Sequence, residues 1–296
     1  MNTAQPSPSN PSKRVLRESP PRALSRFTYI TILCGGILTQ IGSLFLFIGL
    51  LVSAFVIPNS EVKYLFTSDG EWQTTTGKII YIEQTSAEVN EQPIFKYTFN
   101  FNVNGQAIEN SSYGSLYPML DVNTIVEVEY KSEAPSNSRI KGMNREIFAT
   151  WIAFILLFPF IGLLVIFGGL YNNKKVLDLL KKGKFTRGTL LESRPTRGRV
   201  NYRPIMEYTF QFEAQNQTFT AKCNTHKYHL VENEEQEIIL YDAENPETNI
   251  IYDAVPAVPP INRFGKFGQA PTSNLKYLIA PLFAIFSLII TVLSAL

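Results

Sequence analysis

The sequence predicts a membrane α + β protein: three transmembrane helices carrying two homologous small all-β domains, barrel or sandwich-like. Three observations predict it. Charged residues make up only 18% of the 296 residues while apolar residues are an ordinary 45%, so the apolar residues are either segregated or face something other than water. Three long stretches hold no Asp, Glu, Lys, Arg or His. Two polar stretches read alike at a constant offset of 111 residues. This composition argues against a soluble globular protein, a disulfide scaffold or a disordered chain. The net charge of +2 gives no reason to expect a nucleic-acid partner.

Residues 1–26 are rich in Pro and Ser with five basic residues and read as a disordered tail whose charge suits anionic lipid. The stretch is too polar for a simple signal peptide, and no small-residue cleavage site follows the apolar run. Residues 27–57 form the first apolar stretch. Two crossings need about 40 residues, so one tilted helix is expected from about Leu33, with Phe27 to Ile32 at the interface. Leu33 and a continuing apolar run make Cys34 a poor lipidation site. Gln40 is the strongly polar residue of the span and is expected to make an interhelical hydrogen bond. Gly42 and Gly49, and the pair Gly168 and Gly169, are positions for close helix approach.

The second and third spans are expected over 148–171 and 277–296. Pro159 and Pro281 mark bends at most, since membrane helices tolerate Pro. Between the spans lie a β domain over 72–142, an interfacial helix over 173–183, a second β domain over 185–254 and a Pro-rich linker over 255–276. The helix over 173–183 is read from Val176, Leu177, Leu179 and Leu180 set among lysines. Phe264 and Phe267 beside Arg263 and Lys266 look interfacial.

Lys and Arg gather near the cytoplasmic ends of membrane helices. With the N-terminus inside, the inner side collects fourteen of them, led by the cluster from Lys13 to Arg26 and that from Lys174 to Arg187, against six outside. The expectation is therefore a multi-pass membrane protein with the N-terminus cytoplasmic and the C-terminus extracytoplasmic. The first β domain would lie outside and the second inside.

The repeat pairs Pro93-Ile94-Phe95-Lys96-Tyr97-Thr98-Phe99-Asn100-Phe101 with Pro204-Ile205-Met206-Glu207-Tyr208-Thr209-Phe210-Gln211-Phe212. It extends from Thr75 and Thr186 to Pro135 and Pro246 without a gap. Phe95, Tyr97, Phe99 and Phe101 alternate with polar residues at the period of a half-buried strand. Asn104-Gly105 is a strong hairpin signal, matched less well by Gln215-Asn216. Val126, Val128 and Tyr130 alternate with Ile125, Glu127 and Glu129 in a later strand, so four or five strands are expected per copy. Adding the offset to the first helix lands on the second, so the repeated unit is helix plus domain.

The motif Thr186-Arg187-Gly188, then Tyr208-Thr209-Phe210-Gln211-Phe212, then Ile239-Leu240-Tyr241-Asp242-Ala243-Glu244-Asn245-Pro246 resembles the bacterial family called "domain of unknown function 3592". The first copy departs at its end, with Tyr130-Lys131-Ser132-Glu133-Ala134-Pro135. The resemblance spans about half the chain. It implies a small β domain tethered to membrane helices in a bacterial envelope, and no catalytic residues.

One constellation suggests chemistry. Cys223, His226 and His229 stand within seven residues, with Glu232 or Glu234 near enough to complete a zinc site. The spacing matches no standard zinc pattern, and on a strand His226 would face away from the other two. A strand end running into a solvated loop explains the same residues. Cys34 and Cys223 fall in different compartments and should not pair. The carboxylates Glu232, Glu234, Glu235 and Glu237 read as a solvated face. Phosphate loops, nucleophile elbows, metalloprotease motifs and paired intramembrane carboxylates do not occur. The expectation is a non-enzymatic interaction or scaffold protein. It has no cofactor and no nucleic acid; its partners are the bilayer and an unidentified protein, with homo-oligomers open. A subunit of a transport or channel complex and a membrane-bound metal enzyme are the alternatives.

Overall fold

The structure is a computed structural model and describes residues 15–65, 67, 69–89, 91–115, 120–231 and 236–295. Among the described residues there are four α-helices: α1 (Arg26–Gly35), α2 (Ile37–Val56), α3 (Leu157–Lys182) and α4 (Ile279–Ala295). Seven-residue 3₁₀ segments over Thr150–Leu156 and Thr272–Leu278 lead into α3 and α4. Three helical stretches, Ile37–Val56, Thr150–Lys182 and Thr272–Leu293, are long and apolar enough to cross a membrane. The strands are β1 (Trp72–Val89), β2 (Gln92–Val103), β3 (Gln106–Gly114), β4 (Ile125–Lys131) and β5 (Ser138–Ile140), then β6 (Lys184–Val200), β7 (Arg203–Ala214), β8 (Gln217–Thr225), β9 (Gln236–Tyr241) and β10 (Asn249–Ile251).

Two compact units divide the chain. One gathers residues up to Phe47 with Phe160–Phe286, the other Ile48–Pro159 with Ser287–Leu296. Each holds one five-stranded antiparallel sheet, in the order β3-β2-β1-β4-β5 in one and β10-β9-β6-β7-β8 in the other. The offset of 111 maps β2, β3 and β5 onto β7, β8 and β10 residue for residue. It also maps the register shift between Ile79 and Tyr81 onto that between Leu190 and Glu192, and the shift between Gln84 and Glu88 onto that between Pro195 and Arg199. A bulge bends and twists a strand, so the copies share their irregularities as well as their order.

Each sheet curls until its outer strands meet, which favours a small, partly closed barrel over a sandwich. In the first copy Ser112 Oγ accepts from Ile140 N at 2.8 Å, and Asn110 Nδ2 donates to Ser136 O and Ser138 O at 2.6 and 3.2 Å. In the second Asn249 Nδ2 donates to Thr220 O at 3.1 Å. The cores follow the period of two. Tyr97, Phe99, Phe101, Val126 and Val128 fill one barrel, and Tyr208, Phe210, Phe212, Ala221 and Ile239 the other. Asn104 (φ 50) and Gly105 (φ 82) make the two-residue turn with positive φ that suits the twist of a hairpin. Gln215 (φ 52) and Asn216 (φ 60) hold the same conformation without a glycine.

Several expected boundaries are corrected. The first apolar stretch is two helices, broken at Gly36. The helix over 173–183 is no separate interfacial element: α3 continues unbroken to Lys182, and Leu177, Leu179 and Leu180 are buried in the protein. Within 1–26, the described part from Val15 is packed, not disordered. Leu16 and Arg22 are buried, and Arg17 N and Glu18 N donate to Gly265 O. Arg22 caps α3 by donating from Nη1 to Leu180 O and Gly183 O at 3.0 and 2.9 Å, a favourable place for a cation at a helix C-terminus. Residues 1–14 lie outside the described residues. Nor is 255–276 a free spacer, since Ala257 is buried and Phe267 stacks on Tyr252 at 6.0 Å. Phe267 thus belongs to the core, while Phe264 is exposed.

The glycines act mostly as expected. A Cβ on Gly42 would sit 2.8 Å from Gly162 O, and one on Gly169 2.5 Å from Thr39 Oγ1. Gly49 stands against Pro159, whereas Gly168 has nothing within 4 Å.

Candidate functional site

Cys223 lies on β8, half-buried, opposite Tyr208 on β7. His226 follows the strand end, and His229 sits exposed in the short 3₁₀ turn Tyr228–Leu230. Among the described residues no three His, Cys, Asp or Glu side chains come together to hold a metal ion. Glu232, Glu234 and Glu235 lie outside the described residues. Glu237 is not on a solvated face; it is buried. Burial and the nearby Glu237 charge push the Cys223 thiol up to about 12, which disfavours the thiolate that both zinc and nucleophilic chemistry need. The offset explains the residue differently. Cys223 occupies the position of Ser112, the residue that closes the first barrel.

Two polar clusters stand where apolar segments meet a barrel. The first surrounds the helix break at Gly36. Ending α1 there frees backbone carbonyls, which must be satisfied. Asn173 Nδ2 on α3 donates to Leu33 O and Thr39 Oγ1 at 2.7 and 3.1 Å. Gln40 Nε2 donates to Cys34 O and Tyr277 O, both at 2.7 Å. Gln40 therefore makes the expected interhelical contact and also mends the break. A Cβ at Gly36 would lie 2.4 Å from Asn173 Oδ1, so the amide occupies the space a side chain would need. Beside the break is a cleft of about 210 Å³, lined by Ile32, Gly36, Asn173 and Val176 from the helices and by Lys222, Cys223, 249–251 and 254–256 from the second copy and the residues after it.

The second cluster belongs to the first copy. Glu61, in the 3₁₀ turn Glu61–Tyr64 after α2, pairs with Arg145 at 2.7 Å, and the two side chains keep only 7% and 10% of their exposure. Arg145 N also donates to Glu61 Oε1 at 2.6 Å, and Arg145 Nη1 to Asn137 Oδ1 at 2.7 Å. Its guanidinium lies 4.0 Å from the Tyr64 ring and 5.3 Å from the Trp72 ring, which Lys131 and Arg139 also approach at 4.6 and 4.7 Å. Cations over aromatic faces gain from the ring quadrupole. Burial alone would raise the Glu61 carboxyl, but the hydrogen bonds and charge of Arg145, with Arg139 behind it, hold it below the usual carboxylate range. Lys63 pairs with Glu146 at 2.6 Å, and that bond outweighs desolvation and raises the ammonium.

Sequence reasoning counted Arg145, Arg139 and Lys131 only as flanking charge. Comparing the copies would have found them. Trp72, Lys131, Arg139 and Arg145 correspond to Gly183, Asp242, Ile250 and Pro256. There the second copy packs apolar residues instead, with Leu177 and Leu180 of α3 against Ile238, Leu240 and Ile250. Neither cluster presents a nucleophile, a paired acid and base, or a metal set. The first ties helical segments together around the break at Gly36, and the second joins the end of α2 to the first barrel. Comparison with models of known protein families and with curated proteins finds no match.

Proposed function

We propose that this chain is a non-enzymatic integral protein of a bacterial inner membrane, in which a duplicated helix-plus-barrel unit presents one barrel to each side and binds protein partners there. The single observation that carries the reading is the constant offset. Strand order, register and both bulges repeat at 111 residues, and each repeat follows a helix apolar enough to span a bilayer. Only Gly183 separates α3 from β6, so the second barrel is directly coupled to its helix. The basic flanks argue for a cytoplasmic N-terminus and an extracytoplasmic C-terminus. The two clusters support a scaffold, because their polar side chains are committed to holding the helices to one another at the Gly36 break and the end of α2 to the first barrel.

The test is crosslinking in native membranes followed by identification of the crosslinked proteins, with mass measurement of the complex purified in detergent. A discrete hetero-complex is expected. A pore-sized homo-oligomer would instead make the chain a channel subunit and overturn this reading.

A further inference from the structure

The long hairpin of the second copy extends past its barrel. Beyond Pro195 and its partner Met206, the last residue of the hairpin that β8 covers, residues 196–204 expose Arg197, Arg199 and Arg203, with Tyr202 at the tip 97% exposed. Asn201 (φ 48) and Tyr202 (φ 66) form the turn and hold the tyrosine outward. Arg194 is partnered by Glu207 at 2.6 Å. The same hairpin in the first copy reverses the sign, with Glu83 where Arg194 stands, Glu88 where Arg199 stands and Glu91 where Tyr202 stands. Hairpins of matching register and opposite charge are not a requirement of the barrel, so the charge serves what lies outside it.

The placement says what that is. Ser193 pairs with Tyr208, and Tyr208 with Cys223. Cys223 and Lys222 line the cleft against Gly36 and Asn173. Gly36 immediately precedes the apolar span Ile37–Val56. The strands therefore return from Lys184 to the level of the membrane boundary, and the projecting hairpin starts there. We propose that this arginine hairpin binds the phosphate-bearing headgroups of anionic lipid at the membrane surface beside α1 and α3. This rests on the membrane reading above. Guanidinium groups match phosphate geometry, tyrosine suits the interface, and a polybasic segment near the cytoplasmic leaflet is held by its surface potential. A nucleic acid would meet the same arginines, but nothing places it at the helix boundary.

The full chain is reconstituted in nanodiscs of phosphatidylglycerol or of phosphatidylcholine and exposed to trypsin. The bonds after Arg194 and Arg203 precede proline and resist cleavage, so Arg197–Gly198 and Arg199–Val200 report on the tip. Cleavage there is expected to be about tenfold slower in the anionic discs, with the protection lost at high salt. It should also weaken in the Arg203→Gln variant, which keeps both cleavable bonds. Equal cleavage in the two discs overturns the inference alone, as does protection by added RNA in phosphatidylcholine discs without protection by phosphatidylglycerol. A chain that enters neither disc overturns the membrane reading and this inference with it.

Discussion

Removing Arg145 is the most informative perturbation of the first barrel. Glu61 keeps 7% of its side-chain exposure and Arg145 10%, and they meet at 2.7 Å. Arg145→Met preserves bulk and takes away the charge, leaving a buried carboxylate without its cation. Breaking a buried pair from one side costs about 3–5 kcal/mol, much more than the pair's net worth. With a urea slope of about 1–3 kcal/mol per molar, the midpoint should fall by about 2 M. Both tryptophans, Trp72 and Trp151, lie in the unit that holds Glu61, so their fluorescence during urea unfolding in mild detergent follows that unit alone. The pH dependence has a definite sign. In the native chain the Glu61 carboxyl is held low, so its contribution is present above the unfolded carboxyl pKa and is lost as pH falls through the folded value. In the variant burial is opposed only by the more distant charge of Arg139 and raises the carboxyl, so part of the lost stability returns as pH falls toward 5. Adding Glu61→Gln should likewise restore about half of the loss. A destabilisation below about 1 kcal/mol, unchanged by pH, would refute the view that this pair joins helix and barrel.

Three further outcomes are expected. Asn173→Leu leaves the Leu33 carbonyl unsatisfied at the helix break and should cost about 1–3 kcal/mol by thermal unfolding in detergent, whereas a change under about 0.5 kcal/mol would mean the break needs no such support. In a Cys34→Ala chain, a thiol pushed up to about 12 should alkylate about a thousandfold more slowly at pH 8 than the same chain in urea; a native rate near the unfolded one would contradict the buried setting of Cys223. Cys223→Ser should be tolerated, because serine at the equivalent position closes the first barrel, and its unfolding free energy should stay within about 1 kcal/mol of the parent's.

Period and offset made most of the architecture legible. Alternation from Phe95 to Phe101 located a core strand, and the offset of 111 residues carried each strand of the first copy to the second. The uncharged runs marked the three apolar helices. What escaped depends on contacts distant in sequence. Arg22 looked like one of five tail charges because its acceptors, Leu180 O and Gly183 O, lie about 160 residues away. Residues 255–276 looked like a spacer because proline suggests stiffness, yet the burial of Ala257 and the Tyr252–Phe267 stack come from the folded surface they cover. Val176 to Leu180 gave the pattern of a surface helix. An amphipathic pattern states only that one face is apolar, and here the second sheet covers it. Gln40 was recognised because a polar side chain in an apolar run has few ways to be satisfied. The Glu61–Arg145 cluster was missed because each member is ordinary by itself.

The placement of the two barrels is tested most directly by labelling equivalent exposed positions on each. Gln106 and Gln217 begin β3 and β8 and correspond at the offset. In a chain whose own cysteines are replaced by alanine, Gln106→Cys should react with a membrane-impermeant thiol reagent added to spheroplasts, and Gln217→Cys should react only after lysis. Equal labelling of both positions before lysis would contradict a duplicated unit facing both sides of the membrane.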